Sequence, residues 1–122
     1  MHDFDSNLVL YGLAGSALIQ AALDIGLAAA SEVFADRTYQ DDGSLTPRNQ
    51  PNAMIEDVDA SVAQVKRMVL EGLVRSAQGN DVPVRADTLC IHGDQPCGLA
   101  FVKRIRQELR DAGIAAKALG TV

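Results

Sequence analysis

The sequence predicts an α/β protein whose strands are mostly parallel. Short apolar runs at residues 7–11, 32–35 and 88–91 are each followed, directly or after a loop, by a segment with helical periodicity. The runs are apolar throughout, a pattern typical of strands covered on both faces. Repeated strand and helix units of this kind predict a parallel sheet, either a β/α barrel or a doubly wound sheet.

The first predicted helix begins after Ser16, which is placed to cap it, and ends at Gly26. The apolar stripe expected to face the core consists of Leu18, Ala21, Ala22 and Ile25. The second helix begins after Asp57, another candidate cap, and carries the clearest amphipathic pattern of the chain. Its apolar stripe consists of Val58, Val62, Val65, Met68, Val69 and Leu73, with Gln64, Lys66, Arg67 and Glu71 on the opposite side.

A small hairpin is predicted at residues 73–76 and 82–84, where Pro83 is acceptable only on an edge strand. The third helix is expected from about Pro96 to residue 112, and Gly113 ends it. The residues expected to face inward are Leu99, Val102, Ile105 and Leu109.

Composition narrows the class of protein. A chain of 122 residues with 48% hydrophobic content fits one domain, residues 1–122. The net charge of −5 argues against a nucleic-acid binder and against binding to an anionic membrane. We expect a cytoplasmic location, because no apolar run spans a bilayer and the N-terminus lacks a basic signal region. Cys90 and Cys97 are expected to be free thiols.

Polar residues follow each predicted strand. In parallel α/β sheets, ligand sites lie at the carboxyl ends of the strands. His92 and Asp94 follow the third strand and are the candidate catalytic pair, since histidine titrates near neutrality and a carboxylate can tune it. The alternative is that Asp94 caps the next helix while His92 bonds within the loop. Gly12, Gly15 and Ser16 form a candidate phosphate turn that lacks the lysine of a P-loop and the third glycine of a dinucleotide fingerprint.

A long polar segment, residues 36–52, leaves the second strand. Loops of this length tend to be functional or disordered. Its arginines, Arg37 and Arg48, have the planar fork that suits a carboxylate or phosphate, and Glu32 and Asp36 are candidates for orienting them. Solvation of an ordinary loop is the alternative explanation.

Segments 32–39 (EVFADRTY), 42–45 (DGSL) with Arg48, and 88–94 (TLCIHGD) resemble the C-terminal half of the LamB/YcsF family, the A subunit of the bacterial ATP-dependent 5-oxoprolinase. The resemblance extends from residue 12 to residue 114. It implies a partial β/α barrel of the glycoside hydrolase/deacetylase type. It also implies partner subunits, ATP as co-substrate and 5-oxoproline as the substrate that is opened to glutamate. Metal dependence is left open.

Family members are much longer, and their N-terminal half has further His- and Asp-containing strand ends that have no counterpart here. Because this chain lacks a counterpart of that N-terminal half, we consider three hypotheses. The chain is a metal-dependent hydrolase of deacetylase type, a non-catalytic interaction module, or part of a split or truncated 5-oxoprolinase subunit. Its expected protein partners are the other 5-oxoprolinase subunits and either a chain supplying the N-terminal half or a second copy of itself.

Overall fold

The computed structural model describes residue 5 and residues 7–91 and 98–114. In chain order its elements are β1 (Val9–Leu13), α1 (Ala17–Asp24), β2 (Ala28–Phe34), α2 (Val58–Glu71), β3 (Leu73–Arg75), β4 (Asp81–Pro83), β5 (Thr88–Cys90) and α3 (Gly98–Asp111). None of the helices in these ranges combines the length and the apolar character needed to cross a bilayer.

The sheet confirms the prediction of parallel strands with a small hairpin. Strands β1, β2 and β5 form a three-stranded parallel sheet with β2 in the middle, and β3 pairs with β4 antiparallel. Within the parallel sheet Glu32 lies opposite Leu13 on one side and opposite Thr88 on the other. The glycoside hydrolase/deacetylase barrel stays a prediction, since three strands of an open sheet do not define it.

All three described helices lie on one face of the parallel sheet. A Cβ atom built on Gly12 would lie 3.1 Å from Cδ1 of Ile19, so the face that Gly12 presents is the face covered by α1. Val33 shares that face, because it is two residues from Ser31, the register partner of Gly12. Val33 is fully buried in a cluster that α2 and α3 complete with Val62, Val65, Met68, Phe101, Ile105 and Leu109.

The opposite face of the sheet carries no described helix. Val9 and Tyr11 of β1 point to this face and are 37% and 50% exposed. The sequence pattern was therefore wrong for β1, which is covered on one face only by the described residues.

The predicted apolar stripe of α1 was right for Ala22 and wrong for Leu18, Ala21 and Ile25. Ile19 and Ala22 are the buried residues, whereas Leu18 and Ile25 are 54% and 56% exposed. The helix is apolar on nearly every side, so its periodicity does not single out one face. In α3 the prediction was wrong for Leu99, which is 69% exposed, whereas Phe101 is buried.

The two predicted helix caps differ. The Asp57 carboxylate accepts a hydrogen bond from the backbone N–H of Asp59 at 3.2 Å, which confirms it as the cap of α2. Ser16 occupies the corresponding position before α1, but its side chain makes no cap bond. Its hydroxyl oxygen is instead buried within the described part of the fold without a hydrogen-bond partner.

Candidate functional site

Three of the ionisable residues predicted from the sequence lie at the carboxyl end of β2: Glu32 is within the strand, and Asp36 and Arg37 follow it. We call Glu32, Asp36, Arg37 and Arg48 the rim cluster. Burial raises the pKa of the neighbouring Cys90 thiol, and the charges of Glu32 and Asp36 raise it further while Arg48 lowers it. Cys90 is the last residue of β5 and is the register partner of Phe34 in β2.

Two members of the rim cluster are inside the protein. Asp36 is 1% and Arg37 7% exposed. Nη2 of Arg37 donates a hydrogen bond to the carbonyl oxygen of Thr46 at 2.8 Å, and Nε is buried without a partner among the described residues. Arg37, a candidate for contact with a carboxylate or phosphate, is thus largely enclosed, because the segment after β2 folds back over its side chain.

That segment is ordered by its own backbone. The N–H groups of Thr38 and Thr46 donate to the carbonyl oxygens of Ala53 and Thr38, each at 3.0 Å, and the N–H of Ile55 donates to Asp36 at 2.8 Å. Residues 36–55 thus form a closed loop that returns to the strand end. The disordered alternative for this segment is therefore wrong, and a functional role stays a prediction.

Tyr39 anchors the loop from within. It is fully buried, and its hydroxyl oxygen accepts a hydrogen bond from the backbone N–H of Phe34 at 2.9 Å. Burial raises the pKa of Tyr39 to about 12, although the Phe34 N–H and the positive charge of Arg37 act in the opposite direction. The Tyr39 hydroxyl therefore stays protonated and uncharged at any physiological pH.

Two polar residues of α2 hold the end of β2. Oγ of Ser61 donates to the carbonyl oxygen of Ala35 at 2.7 Å, and Nε2 of Gln64 donates to the carbonyl oxygens of Phe34 and Arg37 at 3.1 and 3.0 Å. The sequence prediction placed Gln64 on the outer side of α2, which was wrong. A signal was present: residues 61 and 64 are three apart, so they lie on one helix face beside Val62 and Val65.

The tip of the loop is fastened to the β3–β4 hairpin. The Asp41 carboxylate accepts hydrogen bonds from Ser76 Oγ at 2.5 Å and from Asn80 Nδ2 at 3.1 Å, and Gln78 Nε2 donates to Gln40 Oε1 at 2.7 Å. The hairpin therefore supports the segment that carries Arg37 and Arg48.

The predicted phosphate turn is partly occupied by the fold itself. Gly12 belongs to β1 and lies close to α1, outside the turn. The N–H groups of Ala14 and Ser16 donate to the carbonyl oxygens of Glu32 at 2.9 Å and Leu13 at 3.0 Å. Gly15, with φ of 75°, is the residue that reverses the chain. A phosphate contact by Gly12, Gly15 and Ser16 stays a prediction.

The candidate pair His92 and Asp94 lies outside the described residues, as does Cys97. Within the ranges that the structure describes, no group of three or more His, Cys, Asp or Glu side chains is placed to hold a metal ion. The catalytic assignment of the pair stays a prediction from the sequence. The strand that precedes the pair in the chain, β5, is hydrogen-bonded to β2.

Comparison with known proteins identifies the family. The model of the LamB/YcsF family matches residues 1–122. This chain belongs to the LamB/YcsF family. It is 63% identical over 118 residues to the A subunit of 5-oxoprolinase from Bordetella pertussis, covering 97% of this chain and 47% of that protein. The Bacillus subtilis protein of the same name is 55% identical over 119 residues, covering 98% and 46%.

A solved structure agrees with the family assignment. The lactam utilization protein from Thermus thermophilus superimposes with a TM-score of 0.88 at 37% identity, covering 97% of this chain and 47% of that one. The LamB/YcsF chain described here therefore spans about half the length of these relatives.

Proposed function

We propose that this LamB/YcsF chain is part of the A subunit of an ATP-dependent 5-oxoprolinase, which opens 5-oxo-L-proline to L-glutamate with hydrolysis of ATP. The observation that carries the proposal is 63% identity, along 97% of the chain, to a protein named as that component of 5-oxoprolinase. Because the chain spans 47% of that relative, the proposed activity requires the remaining part of the A subunit together with the other subunits.

The chemistry sets three requirements. A lactam is an unactivated amide, so its carbonyl must be polarised or phosphorylated, a base must activate water, and a group must bind the substrate carboxylate. In our proposal His92 and Asp94 act as the acid and base. Glu32 and Asp36 supply carboxylates at the carboxyl end of β2, the strand that pairs with β5.

The two arginines take different roles in this proposal. Arg48 is exposed, so it is the candidate for contact with the substrate carboxylate. Arg37 is buried and bonded to Thr46, so it positions the loop and balances the charge of Asp36. Tyr39, kept neutral by burial, adds no further negative charge to this region.

ATP is the co-substrate in this proposal, bound in the assembled complex. Gly12, Gly15 and Ser16 remain the candidates of this chain for a phosphate contact, with Gly15 at the chain reversal. Phosphorylation of the lactam carbonyl would supply the activation that an unstrained amide lacks.

The test is glutamate release from 5-oxoproline, measured with and without ATP. The chain is assayed alone, with the remaining part of the A subunit, and with the other subunits added. We expect ATP-dependent turnover only in the complete mixture. Turnover by the chain alone would contradict the requirement for partners, and an inactive complete mixture would support a non-catalytic module. Hydrolysis of an acetylated substrate without ATP would support the deacetylase hypothesis.

A further inference from the structure

One side chain of α2 forms a bridge across the backbone on both sides of Asp36. Nε2 of Gln64 donates hydrogen bonds to two backbone carbonyl oxygens, that of Phe34 at 3.1 Å and that of Arg37 at 3.0 Å. Asp36 lies between these two residues in the chain. A primary amide carries two N–H groups, so the Gln64 amide can serve both carbonyl oxygens at once.

The carbonyl oxygens inside this bridge also have donors. The carbonyl oxygen of Ala35 accepts a hydrogen bond from Ser61 Oγ at 2.7 Å, and that of Asp36 accepts one from the N–H of Ile55 at 2.8 Å. Gln64 supplies the donors at both ends of the bridged segment. Loss of its amide would therefore free the backbone on the two sides of Asp36.

The burial of Asp36 makes its exact position matter. Asp36 is 1% exposed, and a buried carboxylate depends on the groups around it because bulk water does not solvate it. The side-chain conformations open to Asp36 are set by its backbone conformation. A glutamine amide holds that backbone without adding a charge to the region, which a lysine or glutamate at residue 64 would do.

We propose that Gln64 is a positioning residue, whose two hydrogen bonds fix the Asp36 carboxylate relative to the other polar groups at the carboxyl end of β2. Its effect on the reaction rests on the proposed function, in which Asp36 supplies a carboxylate to the site. The fixing of Asp36 does not depend on that function, so the two statements are tested by separate measurements.

Hydrogen exchange in the chain tests whether Gln64 fixes the Asp36 segment. Gln64→Met keeps an unbranched side chain of similar length and removes both N–H groups. We expect the Ile55 amide, which donates to Asp36, to exchange at least about tenfold faster in this variant, measured relative to the Val84 amide. Val84 donates to Gly72 at 2.8 Å, outside the bridged segment. Equal acceleration at both amides, or no acceleration at Ile55, would overturn the proposal.

A measurement on the unmodified chain needs no variant, so it stands even if the substitution impairs folding. The Nε2 protons of Gln64 should exchange at least about tenfold more slowly than those of Gln107, an exposed glutamine of α3 that bonds to Asp111 at 2.9 Å. Equal exchange of the two side-chain amides would show that the bridge does not persist in solution and would overturn the proposal.

Kinetics in the reconstituted 5-oxoprolinase complex test the effect on the reaction. Gln64→Met should lower kcat for glutamate release about tenfold or more and leave KM for 5-oxoproline within about twofold, because it displaces a reacting-site carboxylate and leaves Arg48 in place. Asp57→Ala is the control: it weakens α2 at its cap, away from the bridge, and should keep both constants.

The outcomes separate this inference from the proposed function. An equal fall in kcat in the Gln64 and Asp57 variants, or wild-type constants in the Gln64 variant, would overturn the role of Gln64 in the reaction. An inactive wild-type complex would contradict the proposed function, and the exchange measurements would then decide alone whether Gln64 fixes Asp36.

Discussion

The hydroxyl oxygen of Tyr39 lies 2.9 Å from the backbone nitrogen of Phe34, whose hydrogen bond it accepts. This bond joins the interior of the loop to the last residue of β2. Ser61 and Gln64 reach the same strand end from α2. The carboxyl end of β2 is therefore held by side chains from two directions, which keeps the backbone of Asp36 and Arg37 in a fixed position next to the ends of β1 and β5.

Tyr39→Phe should destabilise the chain by about 1 kcal/mol, the usual net contribution of one intramolecular hydrogen bond. The ring stays in place, so the change isolates the hydroxyl. Urea unfolding followed by circular dichroism measures the effect. Tyr11→Phe is the matched control, because Tyr11 is 50% exposed, and it should change the free energy of unfolding by less than about 0.5 kcal/mol. Equal effects of the two substitutions would contradict the role given to the Tyr39 hydroxyl.

The two helix caps give a second comparison. Asp57→Ala removes the side chain that accepts the Asp59 N–H and should cost about 1 kcal/mol of stability. Ser16→Ala should cost nothing or stabilise slightly, because it removes a buried hydroxyl that has no partner among the described residues. Thermal unfolding of both variants checks the pair. A loss at Ser16 as large as that at Asp57 would show that Ser16 caps α1 in solution.

The amino-acid sequence was sufficient to predict the buried face of α2 but not that of α1. Helix α2 has charged residues opposite its valines, so the burial of Val62, Val65 and Met68 was correctly predicted. Gln64 was placed on the wrong side, and Leu73 lies in β3 instead of α2. Helix α1 has apolar residues almost all round, so the choice between Leu18 and Ile19 depended on how closely Gly12 lets the helix approach β1. That distance depends on tertiary packing, which the periodicity of the sequence does not reveal.

The Asp81 carboxylate gives a pH prediction. Hydrogen bonds from Arg67 and Arg75 lower its pKa from 3.8 to about 2, with desolvation opposing them. Folding thus favours the ionised form, so the stabilisation is complete above pH 3.8 and is lost as the pH falls toward 2. Asp81→Asn should flatten the loss of stability between about pH 4 and pH 2, measured by urea unfolding across that range.

Its control is Asp24→Asn, which changes an exposed carboxylate that bonds to Gln20 instead of to an arginine. That variant should keep the wild-type pH dependence. If Asp81→Asn also kept it, the bidentate contact of Arg67 with Asp81, at 2.7 and 2.8 Å, would not persist in solution.

The site was predictable to a similar degree. The positions of Asp36 and Arg37 after β2 followed from the rule that parallel strands end on one side. The burial of Arg37 did not follow, because it depends on the return path of residues 38–55 and on the carbonyl oxygen of Thr46. The local sequence shows which polar residues follow the end of a strand. The path of the loop determines which of them remain accessible to a ligand.

The last prediction separates the two arginines in the reconstituted 5-oxoprolinase complex. Arg48→Ala should lower the rate of glutamate release about tenfold or more with an unchanged thermal midpoint, because Arg48 is exposed. Arg37→Ala should lower both the rate and the midpoint, since it removes a buried donor to Thr46.

His92→Ala should lower the rate by about 10²-fold or more if His92 is the acid or base. Exposed Arg85, paired with Asp87, is the control: Arg85→Ala should leave the rate unchanged. Wild-type rates in the Arg48 and His92 variants would remove both residues from the proposed site, while a stable, inactive Arg37 variant would assign Arg37 a direct role in catalysis.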